Sequence, residues 1–470
     1  MTLFGTAGIR GPVTEITPAL ALEVGQAAGE PGETFVVGRD GRETGPALAA
    51  AMEAGLESAG ASVIRIGQVP TPTLAFASRG RRGVMLTASH NPPEDNGIKL
   101  FADGVEYDRE AERAIEDALA DDATAPVPWD TWGDSSRMDI LETYRELVVE
   151  YIEDELAGQA DAEGPLAGLS IAVDCGNGMG SVATPHVLER LGAEVVALNA
   201  TVDGHFPARE SKPTPETLRE FSAFLAETDP HTSPTETQRF DLGLAHDGDA
   251  DRLVVLGPDG DVIHEDTILA VVAEHYVASS EAADPVVVTT PNASARIDER
   301  VREAGGRVER VRLGALHEGI ARERAAGDED TEIVFAAEPW KHIHTAFGGW
   351  IDGVVSAAAV AVLVADAGGT DALREPVTER PYRKISVDCP DDAKSDVMET
   401  LETALPETFP DTTVDTDYGV RLEFDDASWV LVRPSGTEPY VRIYAESDEV
   451  DELVSEASDV IESTVAEHST

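Results

Sequence analysis

Short apolar segments separated by polar, glycine-rich turns recur along the chain. In each of three consecutive stretches, two such segments flank a helical pattern, and a third segment ends in a polar loop. The segments are 34–37, 62–66 and 84–86, then 170–173, 194–198 and 242–245, then 286–290, 307–311 and 333–336. Short apolar strands that alternate with helices are typical of parallel α/β units. Their threefold recurrence predicts three tandem α/β domains of one design.

The C-terminal part of the chain follows another pattern. Apolar segments at 382–387, 419–424, 428–432 and 441–445 lie between helical patterns, which predicts a smaller α+β domain. A chain of 470 residues is too long for one hydrophobic core. The most apolar run, 354–365, is short and alanine-rich, which predicts a buried helix and not a membrane span. We predict four domains, at 1–150, 151–262, 263–372 and 373–470.

Composition restricts the possible partners. The net charge is −55, with 90 acidic residues against 35 basic ones, so nucleic acid and anionic membranes would be repelled. Acidity spread along the chain, with only five lysines, is typical of adaptation to high salt and predicts a halophilic source. The apolar strands argue against disorder. Two cysteines, Cys175 and Cys389, and the lack of a signal pattern predict a protein of the reducing cytoplasm.

One apolar strand, 84–86, leads into a small polar loop that presents Ser89 before two prolines. Open α/β sheets place nucleophiles and phosphate carriers in such loops, although most serines there only cap a helix. Ser89 lacks the flanking glycines of an acyl-transfer serine, which favours a phosphoryl carrier. Lys99 follows closely, and a lysine buried among other cations can lose its proton and act as a base. His90 is interpreted as a loop cap.

Alternate aspartates follow the strand at 242–245. Asp247, Asp249 and Asp251 are separated by glycine and alanine, so a turning backbone can bring their carboxylates onto one small cation. Oxygen ligands of this kind suit Mg²⁺. An acidic surface turn is the alternative. A calcium EF-hand loop fits poorly, because Arg252 and Pro258 occupy the positions that need glycine and glutamate.

Three further loops carry polar groups suited to phosphate or sugar. The segment 433–439, Arg-Pro-Ser-Gly-Thr-Glu-Pro, has hydroxyls and arginine beside a glycine, which indicates an anion site, with a polar hairpin as the alternative. The glycine-rich segment 4–11 carries Arg10 but lacks the lysine of a nucleotide-binding loop. The segment 337–342 offers Glu338 and His342 for sugar hydroxyls, or is a structural corner in which Trp340 packs.

Taken in order, these motifs resemble those of the α-D-phosphohexomutase superfamily. Residues 87–92 resemble its phosphoserine loop, 247–252 its magnesium loop, 433–439 its phosphate-binding loop, and 4–11 its N-terminal motif. The resemblance implies four domains around a central cleft. One loop departs from the pattern: the family's Gly-Glu-x-Ser-Gly-His is here Ala337 to His342, with Trp340 and Lys341 in place of serine and glycine. The identity of the sugar is therefore left open.

The resemblance also implies a reaction. The chain is expected to interconvert hexose 6-phosphate and hexose 1-phosphate through phosphoserine and hexose 1,6-bisphosphate, as phosphomannomutase/phosphoglucomutase does. Phosphoglucosamine mutase is the alternative; a Mg²⁺-dependent sugar phosphatase and a non-catalytic sugar-phosphate binder are more distant ones. A monomer or homodimer is expected. The implied residues are Ser89, Lys99 and Arg10 for catalysis, Ser89, Asp247, Asp249 and Asp251 for Mg²⁺, and Arg252, Glu338, His342, Arg433, Ser435, Gly436, Thr437 and Arg442 for substrate.

Overall fold

The chain folds into two compact units. The computed structural model describes residues 3–5, 8–121, 124–157, 164–227, 240–435 and 439–468. Unit 1 comprises Met1–Ile268 and Trp340–Arg374, and unit 2 comprises Leu269–Pro339 and Glu375–Thr470. The bounds of the four expected domains stay a prediction.

Strands occur throughout the described ranges. They are β1 (Ile9–Pro12), β2 (Thr34–Arg39), β3 (Ser62–Gln68), β4 (Arg82–Leu86), β5 (Asp95–Ala102), β6 (Val105–Glu106), β7 (Ser135–Arg137), β8 (Ser170–Asp174), β9 (Glu194–Leu198), β10 (Leu242–His246), β11 (Leu253–Leu256), β12 (Asp284–Thr289), β13 (Arg307–Arg310), β14 (Thr331–Glu338), β15 (Lys341–Ile343), β16 (Tyr382–Asp388), β17 (Thr413–Asp415), β18 (Val420–Glu423), β19 (Trp429–Pro434) and β20 (Tyr440–Glu446).

Helices separate most of these strands. They are α1 (Pro18–Ala28), α2 (Gly45–Ser58), α3 (Thr71–Ala77), α4 (Arg109–Ala120), α5 (Leu141–Glu155), α6 (Thr184–Arg190), α7 (Arg219–Glu227), α8 (Glu265–Ser279), α9 (Arg296–Glu303), α10 (Leu316–Ala326), α11 (Gly353–Ala367), α12 (Thr370–Arg374), α13 (Lys394–Thr408) and α14 (Val450–His468), with a short 3₁₀ turn at Met179–Val182.

The first sheet of unit 1 has the order β1-β5-β4-β2-β3-β7, with β6 paired to β5. Strands β4, β2, β3 and β7 are parallel, whereas β5 is antiparallel to β4 and β1. Helix α1 begins where the Thr17 side chain accepts a hydrogen bond from the Leu20 amide and Pro18 takes the first turn. Because β2 and β4 are parallel neighbours, the loops that follow them, with Asp40 and Ser89, leave the sheet side by side.

The second sheet of unit 1 has the order β11-β10-β8-β9. Strand β8 is parallel to β9 and β10, and β11 is antiparallel to β10. Ala245 lies opposite Asp174 in this register, so the aspartate loop after β10 begins beside the end of β8. The second stretch of the repeat therefore also puts its polar loop at the carboxyl edge of a parallel sheet, as the sequence pattern predicted.

Unit 2 contains a parallel sheet and an antiparallel one. Strands β13, β12 and β14 are parallel in that order. The C-terminal sheet, β16-β20-β19-β18-β17, is antiparallel throughout, and α13 and α14 supply Val397, Leu401, Leu453 and Ile461 to its core. Arg433 on β19 lies opposite Arg442 on β20. The smaller antiparallel α+β domain at the C-terminus is thus confirmed, as is the α/β character of the rest.

Helix α11 confirms the interpretation of the apolar run at 354–365. It begins at an Asp352 cap, whose carboxylate accepts hydrogen bonds from the Val354 and Val355 amides, and it is buried on all sides over most of its length. Across the part of the chain that the structure describes, no helix has both the length and the apolar character needed to cross a bilayer.

Candidate active site

Ser89 lies in the interior of unit 1, where its side chain meets the aspartate loop. Its backbone has a left-handed φ of 50°, which is uncommon outside glycine, and its side chain is buried. The Ser89 Oγ donates a hydrogen bond to Asp247 Oδ2 at 2.8 Å and lies 3.3 Å from His90 Nδ1. A serine and an aspartate separated by 158 residues are thereby brought into direct contact.

The three aspartates form a buried group. Carboxylate oxygens of Asp247, Asp249 and Asp251 all lie within 4.8 Å of one another. Burial, and then the neighbouring carboxylates of Asp251 and Asp249, hold the pKa of Asp247 well above its usual value. In the described residues, Asp249 Oδ1 and Asp251 Oδ1 are buried with no hydrogen-bond partner. Bare, crowded carboxylate oxygens are the donors that a divalent cation such as Mg²⁺ requires, so this donor set fits the ion.

Threonine hydroxyls orient one of these carboxylates. Thr71 at the start of α3 donates from Oγ1 to Asp249 Oδ2 at 2.6 Å, and its amide donates to the Asp249 carbonyl at 3.0 Å. Thr87 Oγ1 donates to Asp40 Oδ2 at 2.7 Å and lies 3.3 Å from Asp249 Oδ2. The first sheet therefore holds the aspartate loop of the second sheet through Asp249.

Lys99 lies among carboxylates, which corrects the expectation of a lysine among cations. Its Nζ is 3.0 Å from Asp251 Oδ2, 3.4 Å from Glu106 Oε1 and 3.8 Å from Asp249 Oδ2. Burial alone would lower the pKa of Lys99, but these three carboxylates outweigh it and raise the pKa above its usual value. These carboxylates favour the ammonium form of Lys99 in this arrangement, and its role in proton transfer stays a prediction.

Two arginines complete the positive side of the site. Arg252 Nε is 3.8 Å from both Asp247 Oδ2 and Asp251 Oδ1. Burial would raise the pKa of Asp251, yet Lys99, Arg252 and Lys341 hold it below its usual value. Arg10 lies on β1, next to β5, and in the described residues its buried Nε has no hydrogen-bond partner. Burial, then Arg252 and Arg10, lower the pKa of His90 to about 3, so this imidazole is neutral.

His246, the last residue of β10, helps to hold the aspartate loop in place through contacts of both ring nitrogens. Its Nε2 lies 2.8 Å from Thr184 Oγ1 and its Nδ1 lies 2.8 Å from the Arg252 carbonyl. Burial lowers the pKa of His246 to about 4. The Arg209 guanidinium bonds Asp174 at 2.6 Å and donates to the His246 carbonyl at 2.7 Å. His246 and Arg209 thus hold the aspartate loop in place through contacts that do not involve its three aspartates. Arg209 belongs to no local sequence motif, so the sequence did not predict it.

Residues 338–342 divide between the two units. In unit 1, the Trp340 indole packs against the apolar cluster that includes Val254 and Leu256, and its carbonyl accepts from the Leu253 amide at 3.1 Å. The packing interpretation of Trp340 is therefore confirmed. His342 is buried with Nδ1 3.1 Å from Ser356 Oγ, and burial lowers its pKa to about 4. Glu338 ends β14 in unit 2. Sugar binding by Glu338 and His342 stays a prediction.

A cluster of cations lies in the C-terminal sheet of unit 2. Arg433 Nη2 donates to the Tyr444 hydroxyl at 2.9 Å, and Lys384 Nζ lies 5.4 Å from the Tyr444 ring centroid. Burial would raise the pKa of Tyr444, but Arg433, Arg442 and Lys384 outweigh it and lower the pKa. In the described residues, Arg433 Nε is buried without a partner. The cluster suits an anion; the predicted ligands Gly436 and Thr437 lie outside the described residues.

Lys394 fixes the beginning of the loop that follows β19. Its ammonium donates to the Ser435 carbonyl at 2.8 Å and pairs with Asp391 at 2.6 Å. Ser435 itself is buried. A lysine that was not among the predicted site residues thus anchors one that was.

A second acidic group is found in the described part of unit 1. Glu43, Asp203 and His205 have ligand atoms within 4.8 Å of one another, but Glu43 and His205 are exposed. The imidazole of His205 lies 3.1 Å from Asp203, so this group already has an internal partner. It lacks the bare buried oxygens of the aspartate loop and provides a comparison for it.

Family models match nearly the whole chain in four consecutive segments. Models described as phosphoglucomutase/phosphomannomutase, alpha/beta/alpha domains I, II and III match residues 1–125, 149–260 and 264–381. The model of the phosphoglucomutase/phosphomannomutase C-terminal domain matches residues 385–463.

Individual relatives match end to end. The chain is 42% identical over 480 residues to a probable phosphoglucosamine mutase of Methanopyrus kandleri, with 99% of this chain and 98% of that one covered. It is 38% identical over 457 residues to a phosphopentomutase of Thermococcus kodakarensis, with 95% and 94% covered. A crystal structure of a phosphoglucomutase/phosphomannomutase family protein from Burkholderia thailandensis superposes with a TM-score of 0.82 and 25% identity over 98% of this chain and 97% of that one.

Proposed function

The chain is a phosphomutase of the phosphoglucomutase/phosphomannomutase family, and we propose that it interconverts hexose 6-phosphate and hexose 1-phosphate through a phosphoryl group carried on Ser89. The observation that carries this proposal is the contact of Ser89 Oγ with Asp247 inside a buried group of three carboxylates. Three buried carboxylates in contact repel one another, and this repulsion lowers the stability of the fold unless a cation binds them. Such a group beside a serine is therefore typical of a functional site and not of a serine that only caps a helix.

In the proposed forward reaction, the free hydroxyl of the sugar phosphate attacks the phosphorus on Ser89. The new sugar O–P bond forms as the bond between phosphorus and Ser89 Oγ breaks, and the proton of the hydroxyl is balanced by the proton that Ser89 regains. The product is a hexose 1,6-bisphosphate. Its other phosphoryl group then returns to Ser89, which leaves the isomeric monophosphate. No phosphate is released, and the enzyme ends in the phosphorylated state in which it began.

The cations of unit 1 have a role in this reaction. Lys99 and Arg252 are held close to Asp251, and Arg10 lies nearby on β1. An ammonium and two guanidinium groups would stabilise the negative charge on the transferring phosphoryl oxygens. Lys99, favoured as an ammonium by these carboxylates, would give a proton to the departing Ser89 oxygen, and the proton lost by the attacking sugar hydroxyl would restore the ammonium.

Mg²⁺ fits the aspartate loop. Asp247, Asp249 and Asp251 would hold the ion together with an oxygen of the phosphoryl group on Ser89. When bound, the ion neutralises charge on the transferring group. The oxygens of Asp249 and Asp251 that lack a hydrogen bond in the described residues support this assignment. The crowding of the three carboxylates supports it too, because burial and then Asp251 and Asp249 raise the pKa of Asp247 even though Arg252 lies nearby.

The C-terminal cluster is proposed to hold the phosphate of the substrate that is not being transferred. Arg433 and Arg442 provide forked, charge-assisted donors, and Ser435 provides a hydroxyl. Gly436 and Thr437 would complete this loop. Glu338 and His342 are proposed to bind the sugar hydroxyls.

The choice of sugar has a second candidate. The relatives are named phosphoglucosamine mutase and phosphopentomutase, so glucosamine phosphate is the alternative substrate and ribose phosphate belongs in the same comparison. Trp340 is partly buried and packs against the apolar cluster that includes Val254 and Leu256, so the departure from the family's sugar loop replaces a hydroxyl with an indole that has a packing role. The net charge of −55 supports a cytoplasm rich in salt as the working environment.

The decisive experiment uses the purified full chain with Mg²⁺ in molar KCl. Glucose, mannose, glucosamine and ribose monophosphates are supplied with a trace of the matching bisphosphate, and both isomerisation and release of inorganic phosphate are followed. Isomerisation without phosphate release, together with a phosphoryl group on Ser89 by intact-mass and peptide analysis, is expected. Stoichiometric phosphate release would instead identify a phosphatase, and binding without either reaction would identify a sugar-phosphate sensor.

A further inference from the structure

The backbone of Ser89 is held in an unfavourable conformation by residues distant in sequence. A non-glycine residue in the left-handed region is strained and persists only where its surroundings enforce it. The Ser89 amide donates to Thr87 Oγ1 at 2.8 Å. Its carbonyl accepts two hydrogen bonds, from Arg42 Nη2 at 2.9 Å and from Ser211 Oγ at 2.9 Å. Both donors are buried, so solvent does not compete for this carbonyl.

The Arg42 guanidinium donates hydrogen bonds to several carbonyls of the loop that contains Ser89. Besides the Ser89 carbonyl, it donates to the carbonyls of Asn91 at 2.7 Å and of Asp95 at 2.9 Å, and to that of Pro92. Its Nε pairs with Asp40 at 3.1 Å. The planar fork of an arginine is suited to holding several acceptors at fixed angles, which a lysine ammonium on a flexible stem is not.

Ser211 connects the same carbonyl to the aspartate loop. It is buried, and Gly248, which separates Asp247 from Asp249, packs directly against it. A Cβ atom added at Gly248 would lie 2.6 Å from Ser211 Oγ and 2.7 Å from the Ser89 carbonyl oxygen. The aspartate loop can therefore come this close to Ser89 only with a glycine at this position. Ser211, Gly248 and the Ser89 carbonyl form one contact between the two loops.

We propose that Arg42 and Ser211, which we call the carbonyl clamp, are positioning residues for phosphoryl transfer at Ser89. The clamp fixes the backbone of Ser89 so that its Oγ faces Asp247 and a phosphoryl group on it faces the aspartates. Neither residue touches the transferred group; both act through the Ser89 main chain. This inference rests on the proposed function, because it assigns the clamp to a reaction carried by Ser89.

The test compares Ser211→Ala with Ser181→Ala. Ser181 is a matched control, since it too is a buried serine that donates to a main-chain carbonyl, that of Gly178 at 2.7 Å, but it does not bond Ser89. Each variant is phosphorylated with glucose 1,6-bisphosphate, and transfer to the preferred monophosphate is measured in a single turnover, with KM from the steady state. Misplacement of a reacting group by about 1 Å costs roughly 100-fold, so a drop of about 10- to 100-fold in transfer rate with unchanged KM is expected for Ser211→Ala.

Arg42→Lys provides an independent second variant. It keeps the charge beside Asp40 but loses the fork, so we expect a decrease in transfer rate at least as large as that of Ser211→Ala, again with unchanged KM. If folded Ser211→Ala transfers within about twofold of Ser181→Ala, with equal melting temperatures, the clamp is refuted. If the wild-type chain takes no phosphoryl group on Ser89, the proposed function itself fails, and the clamp's role falls with it.

Discussion

Two polar loops of the molecule are built alike and charged oppositely. Each follows a strand and contains a serine. The loop with Ser89 meets the buried group of three carboxylates, whereas Ser435 accepts a hydrogen bond from Lys394 and follows Arg433 on β19. The first arrangement demands a cation, and the second demands an anion. A phosphomutase needs both, because it must activate one phosphoryl group while it binds another. We therefore propose a division of roles that follows the difference in charge: phosphoryl transfer at Ser89 and recognition of phosphate at the C-terminal cluster.

The positions of the lysines support this division. In a chain with a net charge of −55, the sequence contains only five lysines, and each lies near one of the two loops or their neighbouring groups. Two affect Asp251, one affects His90 beside Ser89, and two lie at the C-terminal cluster. They are Lys99 and Lys341 at Asp251, Lys212 at His90, Lys384 at Tyr444, and Lys394 at Ser435.

The largest effect should come from removing the phosphoryl carrier. Ser89→Ala is expected to lower mutase turnover by roughly 10⁴-fold or more, because no other group can take over a nucleophile's role. Binding of the monophosphate, measured by calorimetry, should change little, because the C-terminal cluster is intact. Ser136→Ala, at an exposed position of β7, is the control. Turnover of Ser89→Ala near that of Ser136→Ala would end the assignment.

The next effect distinguishes the buried acidic group from the exposed one. Asp249→Asn keeps the size of the side chain but removes the negative charge of its carboxylate. We therefore expect Mg²⁺ affinity to fall by at least about 100-fold, and turnover to fall with it. Asp203→Asn makes the same change in the exposed group with Glu43 and His205, and should alter neither. Calorimetric titration with Mg²⁺ measures both variants. Equal Mg²⁺ affinities for the two variants would show that the buried group is not the metal site.

Elements and motifs were predictable from the sequence because they are local. The strands of all three repeats, the buried helix α11, Ser89 and the aspartate loop each follow from residues within a few positions of one another. The clamp was not predictable, since Arg42 and Ser211 lie 47 and 122 residues from Ser89 and carry no motif of their own. The carboxylates around Lys99 were not predictable for the same reason: Asp251, 152 residues away, is its nearest carboxylate.

A smaller effect should follow from weakening phosphate recognition. Arg433→Ala removes a forked donor, and loss of a charge-assisted hydrogen bond costs about 1.5–3 kcal/mol, so KM should rise by roughly 10- to 100-fold. Phosphorylation of Ser89 once substrate is bound should keep its rate. Arg383→Ala is the control, since its guanidinium pairs with Asp451 at 2.9 Å outside the cluster. A decrease confined to kcat would assign Arg433 to phosphoryl transfer and would contradict the proposed separation of phosphoryl transfer from phosphate recognition.

The smallest effect concerns an exposed member of the C-terminal cluster. Lys384 is an exposed residue of β16 with its ammonium 5.4 Å from the Tyr444 ring centroid, and we expect it to act on a bound anion through its charge alone. Exposed charge pairs contribute about 0.2–1 kcal/mol, so Lys384→Met should raise KM only about two- to fivefold in dilute salt. In molar KCl the Debye length falls to about 3 Å, and the difference in KM from wild type should vanish.

Arg383→Met removes a like charge from the adjacent position and should leave KM unchanged at both salt concentrations. The buried carboxylates of unit 1 are shielded from solvent, so Mg²⁺ binding should respond to salt far less than KM does. A Lys384→Met effect that persisted in molar KCl would mean that this ammonium touches the phosphate directly.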